Sequence, residues 1–288
     1  MRPIEYRGTL TALSEIHHGG DEQTGNVRLL RSIKMWDVDA GKLVRVPVIS
    51  GNAIRGVLRR KLMHDLLERI DYGVTSSKLH HALHTGGLLE STGEVSGSLD
   101  LPARRKLSAT IPPLALLGTA ILNDMIPGQL TVDFARPFCR EMAWALRLQG
   151  YDDARIDHGA RSFRDFTFTT RRDDLRAGEE AHQMIVTFEY FAAGTAFAHS
   201  FRLRHPTPLL EATVGTMIRL WQDDPIIGGK AAGGFGQLAL QYENVPDTLA
   251  YDTYVDAHGD EIRAVLDDLA ARLDNKPKPG VTNAEIPF

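Results

Sequence analysis

Five glycines fall within the nine positions Gly228-Gly229-Lys230-Ala231-Ala232-Gly233-Gly234-Phe235-Gly236. Glycine at this density lets backbone amides turn toward an anion with no Cβ in the way, and Lys230 adds a compact cation. The plainer reading is a loop that needs positive φ angles. The run follows a helical pattern and precedes a strand, the reverse of a nucleotide P-loop, so it does not read as an ATP site. His17 and His18 close the first extended segment, where a histidine could act as general base for cleavage by an RNA 2′-hydroxyl. His80-His81-x-x-His84 has spacing that could hold zinc, but the single cysteine, Cys139, is far from it in sequence, and no metal site or cofactor is expected. Phe163, Phe166 and Phe168 lie among Arg161, Arg164, Arg171, Arg172 and Arg176. Such a segment either stacks bases and holds phosphates or tucks its rings into a core. No Ser/His/Asp order or nucleophile elbow is present.

The charge is unevenly placed. Across 288 residues, 33 Lys+Arg against 37 Asp+Glu give −4, which excludes a generally basic, histone-like binder. From Arg28 to Lys61, however, nine cations face two anions, a local +7, and from Tyr242 to Asp274 nine anions face two cations, a local −7. A local basic segment can set the field of a groove over a Debye length of ~8 Å whatever the total charge. The hydrophobic content of 43% belongs to a folded chain, no apolar run approaches the ~18 residues of a membrane span, and the N-terminus lacks a signal-peptide core. With one cysteine, a cytoplasmic setting is expected.

These groups need elements to position them. Period-two alternation predicts strands over 4–16, 42–49, 128–134, 183–190, 195–204 and 237–242. Helices are expected from Ser50 to about Leu66, with Ser50 or Asn52 capping, over 207–222, and around Ile262 to Leu273. Arg55, Arg59 and Arg60 fall between the apolar positions of the first helix, which predicts a guanidinium-lined side. A short helix is expected around 77–84, an apolar turn over 111–118, a polar stretch at 21–26 and a long excursion over 155–180. The order strand, helix, strand, strand, helix, strand is the split βαβ, ferredoxin-like (RRM-like) arrangement, an α+β fold.

Four pieces in this order resemble the repeat-associated RNA-binding superfamily of CRISPR systems, most of all the backbone subunits of class 1 effector complexes. They are the strand ending in His18-Gly19-Gly20, the run Val46-Pro47-Val48-Ile49-Ser50-Gly51-Asn52-Ala53-Ile54-Arg55-Gly56-Val57-Leu58-Arg59, the segment Leu114 to Gly118 with the strand Gly128 to Ala135, and the glycine-rich loop. Phe191-Ala192-Ala193-Gly194-Thr195-Ala196-Phe197 is similar to the turn after the family's thumb. The resemblance spans roughly residues 4 to 242. It implies a ferredoxin-like core over 1–242, with long insertions at about 71–110 and 143–182 that form a helical finger region and a thumb hairpin. A helical extension over 243–275 and a disordered tail over 276–288 follow.

The family's members wrap guide RNA, stack along its spacer and kink it with the thumb. Carried over, Ser50, Asn52, Arg55 and Arg59 would hold guide phosphates at the helix start, with His18 beside them. Gly229, Lys230, Gly233 and Phe235 would line the same path, and Arg161, Arg164, Arg171 and Arg172 would belong to the thumb. Expected partners are guide RNA, a complementary DNA or RNA target, further copies of the chain and other effector subunits, with no membrane. Members of type III that cut RNA carry an aspartate in the loop where this chain places Arg31 or its neighbours, although Asp21 and Asp37 lie in the same loop. A binding role without cleavage is therefore expected, as in type IV or type I backbones. The alternatives are a guide-processing endoribonuclease using His17 or His18 as base, a type III slicing subunit, and a protein scaffold without nucleic acid.

Overall fold

The alternation that starts at Ile4 produces strand β1 (Ile4–Ala12), whose Tyr6, Gly8, Leu10 and Ala12 are buried while Glu5 and Arg7 are exposed. The computed structural model describes residues 2–87, 99–121, 124–151, 154–171 and 184–274. After β1 come β2 (Gly19–Thr24), β3 (Val27–Leu30), β4 (Ser32–Asp37), β5 (Lys42–Pro47) and helix α1 (Gly51–Arg69). Next are α2 (Ser77–His80), α3 (Leu101–Thr110), α4 (Pro112–Leu117), β6 (Thr119–Ile121), β7 (Asp124–Ile126), β8 (Leu130–Val132), β9 (Arg136–Pro137) and α5 (Ala143–Leu148). The chain closes with β10 (Arg164–Arg171), β11 (Met184–Phe191), β12 (Ala196–Leu203), α6 (Pro208–Asp223), β13 (Leu238–Tyr242) and α7 (Leu249–Asp274). The fold is α+β.

Two compact units share the chain. The first comprises Met1–Leu58, Leu130–Pro206 and Met217–Pro246; the second comprises Arg59–Gln129, Thr207–Thr216 and Asp247–Phe288.

A five-stranded antiparallel sheet organises the first unit along the path β13-β1-β12-β8, with β9 also pairing with β12. Gly8 stands opposite His199 and Tyr242, and Leu10 opposite Phe197 and Leu240. Trp221 of α6 lies against this sheet, its ring 6.4 Å from His199 and 6.5 Å from Tyr242. Each large side chain buried this way contributes about 1.5–3 kcal/mol. A second sheet runs β10-β11-β3-β2, with β11 and β3 parallel. The hairpin β4–β5 stands apart as a two-stranded ribbon packed on Phe138, Met142 and Leu146 through Ile33, Met35 and Val44. Cys139 sits in that same core, where burial and then Glu141 push its thiol up to about 12, so it is not a nucleophile.

Three local expectations are corrected. The polar stretch at 21–26 belongs to a hairpin, β2–β3, and β4 follows where no strand was expected. The turn over 111–118 is helix α4, because Pro112 and Pro113 occupy the first turn, where no amide partner is needed. The closing helix begins at Leu249, more than a dozen residues before its clearest apolar periodicity.

In the second unit, α7 is fastened by its acids. Asp252 pairs with Arg69 at 2.7 Å, Asp267 accepts from the Tyr72 hydroxyl at 2.9 Å, and Asp274 accepts from Ser76 at 2.8 Å. Part of the −7 segment is thus internal anchoring. Among the described residues, no helix is long and apolar enough to cross a membrane. Residues 276–288, expected as a tail, lie outside the described residues.

Candidate nucleic-acid interface

The end of β1 is where the first unit brings its chemistry-bearing groups together. His18 Nε2 accepts the backbone N–H of Ser50 at 3.1 Å and lies 3.2 Å from Ser50 Oγ, which in turn accepts from the Ala53 amide at 3.3 Å. Ser50 is therefore the N-cap of α1, and His18 holds the cap. Burial, then Arg31, then His17 lower the His18 pKa to about 4, so its ring is neutral near pH 7. With the Nε2 lone pair already engaged, His18 is a positioning group and a poor general base. His17 donates from Nδ1 to the Glu189 carbonyl at 2.8 Å and meets the Phe188 ring edge-on at 4.9 Å.

Helix α1 opens this place to anions. It is 19 residues long with no acidic residue in its first turn, so no side chain of that turn offsets the partial positive charge of roughly +0.5 at its N-terminus. Asn52 is exposed on the first turn. Arg55, one turn on, is partly buried and reaches the Leu130 carbonyl at 3.4 Å; burial, then Arg204, lower its pKa.

The glycine-rich loop is pinned to the same strand end. Gly229 N–H donates to the His17 carbonyl at 2.9 Å, and Gly236 N–H donates to the Glu15 carbonyl at 2.8 Å. Gly228 and Gly236 have φ of +87° and +88°, and a Cβ at Gly236 would stand 2.1 Å from the Ile227 carbonyl oxygen. Of the two readings of this run, the loop that needs positive φ is the one described, and the amides of Gly229, Gly233, Gly234 and Gly236 all donate within the protein. What the loop offers outward is Lys230. Its Nζ lies 3.9 Å from the centroid of Phe188 and 3.4 Å from Thr169 Oγ1, which sets a cation on β10–β11. Phe235 packs edge-on against Phe188 at 5.7 Å. Gly233 is exposed and carries no contact that requires glycine.

Other expected residues have different work. Arg59 is 5% exposed and donates to the Gly118 and Leu117 carbonyls at 2.5 and 3.0 Å. It belongs to the second unit and is corrected from a phosphate ligand to an internal clamp. Arg164 is engaged by buried Glu189 at 2.8 Å, whose other oxygen accepts the Leu30 amide at 2.9 Å. Arg161 is exposed on the rim of a groove of about 940 Å³ that Arg45, Arg140 and Phe166 also line. The side chain of Arg171 and all of Arg172 lie outside the described residues.

No family model and no curated protein sequence matches the chain. Among solved structures, it matches a chain of the "Type IV-B CRISPR Complex" with a TM-score of 0.60, covering 84% of this chain and 91% of that one at 20% identity. The two chains share a fold.

Two further groups bear on chemistry. Asp37 Oδ1 accepts the amides of Asp39 and Ala40 at 3.1 and 3.0 Å, so it shapes the β4–β5 turn. The side chain of Asp21 lies outside the described residues. His80 and His84 stack with centroids 4.6 Å apart, and among the described residues no group of three or more His, Cys, Asp or Glu is placed to hold a metal ion. Sequence reasoning missed Phe188 and Glu189, which tie the loop, β3 and β10 together. Their only signal was the alternation of 183–190, which shows that one face is inward and not what it meets.

Proposed function

We propose that this chain is an RNA-binding backbone subunit of a CRISPR effector complex, which holds the spacer part of guide RNA by its phosphates and lines up with further copies along it. The shared fold with a Type IV-B CRISPR complex chain supports this reading. So does the sheet path β13-β1-β12-β8 with α1 and α6 in the connections, which is the strand order of a ferredoxin-like core. Hairpin β10–β11, whose connection lies outside the described residues, would be the thumb, and helices α2 to α4 the finger region. The observation that carries the proposal is that the capped α1 N-terminus and the loop carrying Lys230 are both fastened to the His17–His18 end of β1, with Arg55 one turn along α1. Cations that touch phosphates need no base contacts, and base pairing by the guide supplies sequence.

A binding role without cleavage fits the site chemistry. His18 is neutral with its acceptor nitrogen in use, and Asp37 is engaged in its turn. In this reading the target is complementary DNA or RNA, and other effector subunits complete the complex.

The test is titration of labelled single-stranded RNA against wild-type protein and the double variant Arg55→Glu/Lys230→Glu. Affinity should fall at least tenfold in the variant. Losing two single-strand phosphate contacts should also lower the slope of log K against log salt by about 1.4. Unchanged affinity would remove the interface. Periodic cutting of complementary RNA in Mg²⁺, lost in Asp21→Ala, would replace binding by slicing.

A further inference from the structure

The β4–β5 hairpin is a ribbon with two unlike faces. Ladder pairs Ile33–Val46, Met35–Val44 and Asp37–Lys42 share one face, and Ile33, Met35, Val44 and Val46 bury that side in the core. Pairs Ser32–Pro47, Lys34–Arg45 and Trp36–Leu43 share the other. On this outer face Trp36 is 54% exposed and Leu43 64%, with Lys34 and Arg45 exposed beside them. No carboxylate occupies a ladder position on that face. The Asp37 turn and the buried inner face hold the ribbon in one shape, so the indole is presented rather than loosely carried.

An indole left open to water forgoes burial energy, and its neighbours on this face are Leu43 across the ladder and the two cations Lys34 and Arg45. Single-stranded nucleic acid matches that set, because a base offers a π-face to the indole while the flanking phosphates meet Lys and Arg. Position agrees. The Arg31 amide donates to the His18 carbonyl and the Val48 amide donates to the Arg31 carbonyl, both at 2.9 Å, so the ends of the hairpin are fastened where α1 begins. Trp36 lies four residues beyond Ser32, on the order of 13 Å along the strand. A strand leaving the α1 N-terminus can therefore continue along the ribbon.

We propose that the outer face of the β4–β5 hairpin is a second contact for single-stranded RNA, with one base stacked on the Trp36 indole and adjacent phosphates on Lys34 and Arg45. This rests on the α1 interface for the path of the strand, and the two claims separate in the test. The chain has three tryptophans, of which Trp221 is buried. In full-length protein carrying Trp144→Phe, the exposed indole is that of Trp36, and its fluorescence is followed during titration with a short oligouridine. Quenching is expected, with affinity falling roughly tenfold in Trp36→Ala and recovering most of that in Trp36→Phe. Lys34→Glu/Arg45→Glu should weaken binding and flatten its salt dependence. Trp36 is exposed, so its variants should melt like the parent. Unchanged emission at saturating RNA, with Trp36→Ala binding normally while Arg55→Glu does not, would overturn the hairpin contact and leave the α1 interface standing. Wild-type RNA affinity in Trp36→Ala together with lost self-association in light scattering would assign the face to a protein neighbour and refute the proposal. Failure of the unmodified protein to bind RNA at all would refute both.

Discussion

Arg55 and Arg59 sit one helical turn apart on α1, yet they do opposite things. Arg55 is partly buried near the helix start, whereas Arg59 is sealed between the Leu117 and Gly118 carbonyls. Two buried carbonyls lose their donor if Arg59 is removed, at about 1–3 kcal/mol each. Arg59→Ala should therefore lower the melting midpoint by roughly 5–10 °C, and below that transition its RNA affinity should stay within about twofold of wild type. Reduced RNA affinity at an unchanged midpoint would show that Arg59 faces the ligand after all. The spacing of the two residues was legible in the sequence and so was their chemistry. The partner of Arg59 was not, because Leu117 and Gly118 are brought to it only by tertiary packing. The loop amides make the same point: the glycines revealed unusual backbone, but not that Gly229 and Gly236 would bond to His17 and Glu15.

At the scale of elements, the clearest strands and helices were those with one buried face. β1 and α1 were legible because their buried positions repeat at two or at three to four residues, whereas β12 and α6 were legible from the alternation and 3/4 spacing of their residue types although nearly every position between 212 and 218 and along β12 is buried. β4 escaped notice because Trp36 is apolar on the exposed face and so blurs the alternation of Ile33 and Met35, the same residue that marks the proposed RNA contact. Strand β12 also carries a pH dependence. His199 is fully buried, its Nδ1 2.7 Å from the Tyr242 hydroxyl, and burial lowers its pKa to about 4. A folded-state pKa below the unfolded value of about 6.5 means that the unfolded chain binds the extra proton first. Stability is therefore complete above about pH 6.5 and is lost as pH falls toward 4, by roughly 3 kcal/mol for this group. His18, also lowered to about 4, acts in the same direction. Melting midpoints should rise between pH 4 and 6.5 and level off above, with a shallower rise in His199→Gln. A flat profile across that window would mean that His199 is not held neutral by the sheet.

For the whole molecule, the net charge of −4 conceals a division of labour. Three of the nine acids in the C-terminal segment anchor α7 through Arg69, Tyr72 and Ser76, while the basic segment contains the α1 start and the β4–β5 ribbon. A protein of this kind binds polyanions locally and in a salt-sensitive way. A short row of phosphate contacts per subunit gains strength when copies sit side by side on one strand, through effective concentration. The most direct test is to purify the full-length chain at low salt and sequence the nucleic acid that accompanies it. The account predicts an absorbance ratio at 260 to 280 nm well above that of protein alone, and RNA derived from CRISPR repeats and spacers. Protein that purifies free of nucleic acid and does not shift added single-stranded RNA at low salt would contradict it.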